Sequence, residues 1–250
     1  MKNYCFITVR SSSSRLKKKC FLKFGSYTIL DHIILRCINF NLIPVICTTQ
    51  NKSDNKFKLY AKKYSIKIYQ GSNKNKLLRW YECAKKFDLK YFHTVDADDP
   101  FFDHLNIKKS LKFLGKSDII KPSSNSSSGA ASEGYSFTIY GVEQLITINK
   151  LFNNKKDTEM IDNYVLNSSK LLKVKKLYNS KYITKKKYRL TLDYIEDYIL
   201  LKKIYDKFGS FASRKKINKF LDKNLDLSKI NYFRNKQWKF NQKKILSNSK

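Results

Sequence analysis

The chain has 250 residues, 42% of them hydrophobic and 14% aromatic, with a formal net charge of +32 at pH 7. This apolar content is enough for a folded core and excludes a disordered polybasic chain. No apolar run reaches the roughly 18 residues of a membrane span. The first apolar run ends at Arg10, so we expect no signal peptide, no membrane insertion and a cytoplasmic location.

The first predicted strand covers residues 5–9 and runs directly into a basic, serine-rich loop. Four serines, residues 11–14, lie between Arg10 and Arg15, and a run of lysines ends at Lys19. Small side chains let backbone N–H groups approach an anion, and the flanking cations neutralise its charge. The loop lacks the Walker spacing of glycines and lysine. It therefore predicts a phosphate site of another kind, with a plain polar surface loop as the alternative.

Strands and helices alternate through the first half of the chain. The pattern predicts helices over 28–39, 54–64 and 74–87, and strands over 43–47, 66–69 and 91–95. Such alternation with short connections is typical of an α/β fold with a mostly parallel sheet and helices on both faces. Ligands bind outside the carboxyl ends of strands in these sheets. The polar junctions that begin at Arg10, Thr48 and Asp96 are therefore expected to form one nucleotide site.

Acidic residues follow the strand predicted over 91–95. Asp96 and Asp98 are two positions apart, so on a continued strand their side chains would share one face. With carboxylates ~6 Å apart, their repulsion is roughly 2–3 kcal/mol at an effective dielectric constant of ~20. A cation would relieve it, and Mg²⁺ favours one or two carboxylates together with phosphate oxygens. The alternative is a turn formed by Asp98, Asp99 and Pro100.

The second half of the chain is less regular. Residues 121–134 form a low-complexity loop that is expected to line the cleft. Extended segments are predicted over 135–140, 171–177 and 188–193, and helices over 142–152, 158–168 and 194–208. Asp193 ends one of these predicted strands and would join Asp98 at a shared ion. The lysine-rich residues 213–250 predict one more helix and a loosely held C-terminal tail. We therefore expect a single domain over 1–231 and a lysine-rich tail over 232–250.

The cysteines and histidines do not indicate a zinc or disulfide site. Five cysteines form no C-x-x-C pair and are odd in number, which predicts free buried thiols in a reducing compartment. The three histidines lack zinc-ligand spacing. His32 lies within the first predicted helix and is expected to pack there.

Several segments, in their order along the chain, resemble motifs of the bacterial sugar-acid cytidylyltransferases. Asp96-Ala-Asp98-Asp99-Pro100 is similar to the motif T-G-D-C-P, and Arg189-Leu-Thr-Leu-Asp193 is similar to R-x-T-V-D. The branch that this chain resembles most is the spore-coat-polysaccharide group, with CMP-Kdo and CMP-sialic acid synthetases as more distant relatives. The matching segments are residues 10–25, 29–36, 48–49, 69–81, 96–103, 189–197 and 226–231.

The resemblance implies a three-layer fold of the nucleotide-diphospho-sugar transferase type, which is GT-A-like. It also implies a magnesium-dependent transfer of CMP from CTP to a sugar acid or related sugar, with release of pyrophosphate, in surface polysaccharide biosynthesis. Cations and metal would offset charge that grows on the α-phosphate and on the leaving pyrophosphate. A homodimer is suggested by analogy alone.

Site residues follow from the resemblance by position. The nucleotide would be bound by the loop after the first strand, by the end of the second strand and by one arginine: Arg10, Ser11, Ser12, Ser13, Ser14, Arg15, Lys19, Thr48, Thr49 and Arg79. Of these, Thr48 and Thr49 would lie near the cytosine. Asp98 and Asp193 would hold magnesium, and the catalytic residues would be Arg10, Lys19 and Asp98.

The chain departs from the family pattern at several loop positions. Ser12 stands at a family glycine, and Lys17 and Lys18 stand where the family has Pro-Gly. If that first glycine has a positive φ, Ser12 would be strained. The acid expected near Asn75 is absent, and the region after Gly134 departs from the family where the acceptor would bind. The resemblance therefore does not specify the acceptor.

Two other functions remain open. Asp96-Ala-Asp98 fits the D-x-D motif of glycosyltransferases that use a finished sugar nucleotide, although Arg15 and Lys19 favour a triphosphate. A basic, non-catalytic nucleic-acid-binding protein would account for the net charge. However, the lysines are spread through every segment and no known nucleic-acid module is present. The residue usage of an AT-rich genome explains that distribution better.

Overall fold

The computed structural model describes residues 2–13, 15–122, 134–153, 156–177 and 188–247. This part of the chain contains the strands β1 Tyr4–Thr8, β2 Lys23–Phe24, β3 Tyr27–Thr28, β4 Ile43–Thr49, β5 Lys67–Gly71, β6 Tyr91–Asp96, β7 Ile119–Lys121, β8 Ser136–Thr138 and β9 Val174–Lys176. Its α-helices are α1 Ile29–Asn39, α2 Phe57–Lys63, α3 Lys76–Lys86, α4 His104–Phe113, α5 Ile139–Ile148, α6 Ile161–Ser168, α7 Ile195–Phe208, α8 Arg214–Lys223, α9 Leu225–Tyr232 and α10 Arg234–Ser247.

A seven-stranded sheet forms the middle layer, in the order β5-β4-β1-β6-β8-β7-β9. The strands β5, β4, β1 and β6 pair in parallel. Strand β8 runs antiparallel to β6 and β7, and β9 is parallel to β7. Strands β2 and β3 form a separate hairpin. The predicted mostly parallel sheet is therefore confirmed.

Strand β1 is apolar along most of its length because both faces of the sheet are covered. Ile7 packs in the hydrophobic cluster that includes α1 and α7, whereas Phe6 packs in the cluster on the other face with α3 and α5. Phe6 also stacks on Phe92 of β6, with the ring centroids 4.2 Å apart. Helices thus cover both faces and leave the carboxyl ends of the parallel strands for a binding site.

The predicted strand over residues 188–193 is wrong, since this segment is irregular. Leu190 and Leu192 are fully buried in the core. The N–H group of Leu192 donates to the carbonyl oxygen of Asp98 at 2.8 Å. The alternate apolar side chains of this segment are buried beside the end of β6, but its backbone does not pair with any described strand of the sheet. That contact also brings the segment that ends at Asp193 against the segment that carries Asp98.

Several other boundaries differ from the prediction. Thr138 caps α5 by accepting a hydrogen bond from the N–H of Gly141, so the helix starts where a strand was predicted to continue. Residues 104–121, which had no predicted element, contain α4 and β7. The described residues after 213, which end at residue 247, contain three helices where one was predicted. Residues 123–133 of the predicted serine-rich loop lie outside the described residues, and the domain boundary at 231 stays a prediction.

The cysteines and His32 lie in the core, as predicted. All five cysteines are buried and free. The Nε2 atom of His32 lies 2.8 Å from the carbonyl oxygen of Pro100, and the ring packs edge-on against Phe24 and Phe101. Among the described residues, no helix combines the length and apolar character needed to cross a membrane.

Acid is expected to destabilise the fold through His32 and His93, which are 0% and 1% exposed. Burial lowers the pKa of each imidazole to about 3, and at His32 the charge of Arg36 adds to this effect. Between the ordinary pKa of 6.5 and about 3, the unfolded chain binds more protons than the folded one. The free energy of unfolding therefore decreases as the pH falls through this window, by about 3 kcal/mol per histidine two pH units below the ordinary value.

Urea denaturation at pH 7 and pH 4.5 measures this loss of stability. The variant His32→Gln should lose less stability on acidification than the wild-type protein, whatever its stability at pH 7. An equal loss in both proteins would contradict the contribution of His32.

Candidate active site

A cleft that is partly open to solvent lies where β1 and β6 end, and the empty space within it, with the solvent at its mouth included, is about 800 Å³. The charged side chains that line it include six cations and three acids. The cations are Arg10, Arg15, Lys19, Lys74, Lys76 and Arg79, and the acids are Asp96, Asp98 and Glu159. This excess of positive charge suits a ligand that carries several negative charges.

The serine-rich loop after β1 forms part of the cleft wall. Ser12 and Ser13 line the cleft together with Arg10, whereas Ser14 lies outside the described residues. The N–H of Ser11 donates to Oδ1 of Asp54 at 2.8 Å. Asp54 therefore fixes the start of the loop, and Ser11 itself does not line the cleft.

Backbone strain falls at a different residue from the one considered in the sequence. Ser12 is not among the residues with a positive φ, but Lys18 has a φ of 54°. Lys18 stands where the family has glycine. A left-handed conformation costs a residue with a Cβ roughly 1–2 kcal/mol. The strained residue therefore lies directly before Lys19, which lines the cleft.

Lys19 connects the two carboxylates that were predicted to bind magnesium. Its Nζ atom lies 2.5 Å from Oδ2 of Asp98 and 3.1 Å from Oδ1 of Asp193. Arg15 donates from Nη2 to the same Oδ1 of Asp193 at 2.6 Å. The fold therefore brings Asp98 and Asp193 to one point, although they are far apart in the chain.

These contacts set the protonation states of the cluster. Burial opposes the charge of Lys19, but Asp98 and Asp193 outweigh it and raise the pKa of the ammonium above its ordinary value. Burial likewise opposes the charge of Asp193, while Lys19 and Arg15 hold the pKa of its carboxyl below the ordinary value. Near neutral pH, Asp193 is therefore a charged carboxylate beside the charged ammonium of Lys19.

The predicted pairing of Asp96 with Asp98 on one strand face is wrong. Strand β6 ends at Asp96, and the N–H of Asp99 donates to the carbonyl of Asp96 at 2.9 Å, so the chain turns there. Asp96 pairs with Lys76 at 2.8 Å, whereas Asp98 pairs with Lys19. After this turn, each of the two carboxylates has its own cation.

Of the other basic wall of the cleft, at the start of α3, sequence reasoning found Arg79 but missed Lys74 and Lys76. Lys76 is only 5% exposed, and burial opposes its charge while Asp96 and Glu159 raise its pKa above the ordinary value. Lys76 and other cations of the cleft in turn lower the pKa of Glu159. A lysine in the first turn of a helix is unfavourable next to the helix dipole. That mismatch at Lys76 is the signal that would have found this wall.

The other predicted nucleotide-binding residues are buried beside the cleft or behind it. Arg79 lines the cleft, is 4% exposed and donates from Nη1 to the carbonyl of Ser72 at 2.7 Å. Thr48 and Thr49 are almost fully buried and do not line the cleft. Their hydroxyls donate to Oδ2 of Asp54 at 3.4 and 2.5 Å. Their predicted contact with cytosine stays a prediction, and their observed role is to hold Asp54.

The carboxylates at Lys19 fit the magnesium ion implied by the resemblance. Within the described ranges, no group of three or more histidine, cysteine or acidic side chains is arranged to hold a metal. Asp98 and Asp193 offer two hard oxygen donors that already converge on one cationic atom. Magnesium needs few protein carboxylates when phosphate oxygens and water complete its shell.

Comparison with known proteins matches almost the whole chain. Residues 4–249 match the model of the family described as cytidylyltransferase. An uncharacterized protein from Methanocaldococcus jannaschii is 28% identical over 240 residues, which cover 92% of this chain and 95% of that protein. The structure of a cytidylyltransferase from Leptospira borgpetersenii serovar Hardjo-bovis is similar with a TM-score of 0.76 and 25% identity, over 91% of this chain and 96% of that one.

More distant structures share the fold. A CMP:2-keto-3-deoxy-manno-octonic acid synthetase complexed with CTP is similar with a TM-score of 0.61 and 9% identity, over 83% of this chain and 99% of that one. The 4-diphosphocytidyl-2C-methyl-D-erythritol synthase from Anaerococcus prevotii has a TM-score of 0.60 and 14% identity, over 82% and 99% of the two chains. These similarities establish the predicted nucleotide-diphospho-sugar transferase type of fold.

Proposed function

Because this chain belongs to the cytidylyltransferase family, we propose that it transfers CMP from CTP to a hydroxyl group of a sugar acid or related sugar and releases pyrophosphate. The observation that carries this proposal is the cluster of Lys19, Asp98 and Asp193 beside the basic, serine-rich loop. The loop cations suit a triphosphate, and the paired carboxylates suit magnesium that the phosphates help to bind.

The proposed roles follow from the contacts of each side chain. Arg10, Arg15 and Lys19 bind the triphosphate, and the backbone of the serine-rich loop approaches it. Arg15 and Lys19, which contact Asp193 in the structure, exchange that carboxylate for phosphate oxygens when the nucleotide binds. Their charge then offsets the charge that grows on the leaving pyrophosphate. Magnesium held by Asp98 and Asp193 would neutralise the transferred phosphate and lower the pKa of the attacking hydroxyl.

The proposed acceptor is a sugar acid used for surface polysaccharide. The likeness in fold to a CMP:2-keto-3-deoxy-manno-octonic acid synthetase supports this class. The second basic wall of the cleft also supports it: Lys76 and Arg79 lie on α3 and Lys74 lies just before that helix, apart from the loop cations. An acceptor carboxylate is the group that such cations favour.

Pyrophosphate release tests the proposal. The protein is incubated with CTP, Mg²⁺ and one acceptor at a time: 2-keto-3-deoxy-manno-octonic acid, a sialic acid or glucose. We expect pyrophosphate and a CMP-sugar in equal amounts with a sugar acid, and no product with glucose. A second incubation replaces CTP with a sugar nucleotide. Release of a nucleoside diphosphate in this incubation, together with no pyrophosphate from CTP in the first, would instead show a glycosyltransferase.

Asp54→Ala is expected to weaken CTP binding about tenfold, which is the effect of losing about 1.4 kcal/mol. Asp54 is 1% exposed and accepts hydrogen bonds from the N–H of Ser11 and the hydroxyl of Thr49. Without it the serine-rich loop loses its anchor at the end of β4. Calorimetric titration with CTP and Mg²⁺ measures the change. Ser53→Ala is the control, because it removes only the exposed contact between the Ser53 and Ser11 hydroxyls; equal affinities in the two variants would contradict the role of Asp54.

A further inference from the structure

A buried hydrogen-bond network lies behind Asp193, on the side away from Lys19. The two carboxylate oxygens of Asp193 face different partners. Oδ1 contacts Arg15 and Lys19 at the cleft, whereas Oδ2 lies 3.3 Å from Nη2 of Arg189. Asp193 is 3% exposed and Arg189 is 1% exposed, so solvent does not compete for this second contact.

Arg189 is itself held by Asp197, in the first turn of α7. Its Nε donates to Oδ1 of Asp197 at 2.7 Å and its Nη2 donates to Oδ2 at 3.0 Å. This two-point contact fixes the plane of the guanidinium. Oδ2 of Asp197 also accepts the N–H groups of Asp193 and Tyr194, both at 2.9 Å. Asp197 therefore fixes the backbone of Asp193 as well as the arginine that faces its side chain.

Helix α9 completes the network through Asn231, which is fully buried. Its Nδ2 atom donates to Oδ1 of Asp197 and to the carbonyl oxygen of Arg189, both at 2.9 Å. Because both neighbours are acceptors, this orientation of the amide is the one that the contacts require. None of the described residues of α9 lines the cleft. Asn231 nevertheless lies only two hydrogen-bonded steps from Asp193.

We infer that Arg189, Asp197 and Asn231 are positioning residues, which orient the carboxylate of Asp193 so that Oδ1 faces Arg15 and Lys19, two cations that line the cleft. The inference rests on the proposed function, since it assigns Asp193 to magnesium and the nucleotide. It makes helix α9 a functional part of the site, although α9 lies far along the chain and outside the cleft. Residues behind a metal ligand act on metal affinity and turnover, and their loss costs roughly 10- to 100-fold in either.

Asn231→Ala tests the inference, with Arg234→Gln as the matched control. Arg234 pairs with Glu196 at 2.7 Å and so also connects a C-terminal helix to α7. Its guanidinium lies over the ring of Tyr194, but among the described residues it makes no hydrogen bond with Arg189, Asp193 or Asp197. Binding of Mn²⁺ in the presence of saturating CTP is measured for each protein. Urea denaturation of the same samples measures stability separately, and Arg189→Lys is a second variant that keeps the buried charge.

Asn231→Ala is expected to weaken Mn²⁺ binding and to lower kcat about tenfold, with little change in the KM for CTP because the loop cations are intact. Arg189→Lys should show the same pattern, and Arg234→Gln should bind Mn²⁺ like the wild type. Loss of stability without loss of Mn²⁺ affinity in the first two variants would show a merely structural role and overturn the inference. If the wild-type protein fails to bind Mn²⁺ with CTP, the proposed function fails, and the inference fails with it.

Discussion

Asp193→Asn is expected to lower kcat for CMP transfer by roughly 10³-fold, which corresponds to the several kcal/mol that a metal and its charge supply to such a step. The change keeps the size of the side chain but removes the charge that Arg15 and Lys19 face. Asn also offers a metal only a neutral oxygen. Steady-state pyrophosphate release with saturating CTP and Mg²⁺ measures the effect.

The matched control for this variant is Asp206→Asn on α7. Asp206 pairs with Lys202 on the protein surface, where an ion pair contributes at most about 1 kcal/mol. The control should therefore keep wild-type activity and nearly wild-type stability. If Asp193→Asn also keeps more than a tenth of wild-type kcat, Asp193 is not part of the reaction centre, and the magnesium assignment falls with it.

Lys19→Met is expected to have two opposite effects. It should lower kcat/KM for CTP roughly 100-fold, because a cation that offsets phosphate charge is lost. It should also let Mn²⁺ bind without nucleotide, because the ammonium that now lies 2.5 Å from Asp98 and 3.1 Å from Asp193 no longer neutralises these carboxylates. In the proposed mechanism, the ammonium of wild-type Lys19 leaves these carboxylates when it binds phosphate.

Thermal unfolding with Mn²⁺ alone separates these effects from general damage. Binding to the folded state raises the melting temperature, so Mn²⁺ should stabilise Lys19→Met more than the wild type. Lys17→Met is the control, since Lys17 is exposed and does not line the cleft. An equal response to Mn²⁺ in all three proteins would show that Lys19 does not compete with metal.

The sheet was predictable because its central strands leave a strong local signal. Strand β1 is buried on both faces and reads as a continuous apolar run, and the helices that follow the parallel strands show apolar residues at helical spacing. The segment over 188–193 was not predictable in the same way. Its alternating apolar residues are buried against the core, but they form no ladder in the sheet, and periodicity does not distinguish these two situations.

The site was only partly predictable, for a related reason. Arg15, Lys19 and Asp98 were predicted to converge because they follow strand ends in this type of sheet and match family motifs. Asp193 was predicted from a family motif and from a strand that the structure lacks. The partners of each charge depend on tertiary structure. A turn after Asp96 directs that carboxylate to Lys76, which no local pattern reveals. The network of Asp197 and Asn231 joins residues that are distant in the chain and was therefore not visible in the sequence.

The most direct measurement is a thermal-shift panel with CTP, UTP, ATP and GTP, each with and without Mg²⁺, on the wild-type protein and on Asp193→Asn. We predict that CTP gives the largest stabilisation, that this stabilisation needs Mg²⁺, and that Asp193→Asn loses it while the control Asp206→Asn keeps it. No stabilisation of the wild-type protein by any nucleotide, with or without Mg²⁺, would contradict a CTP-dependent transferase.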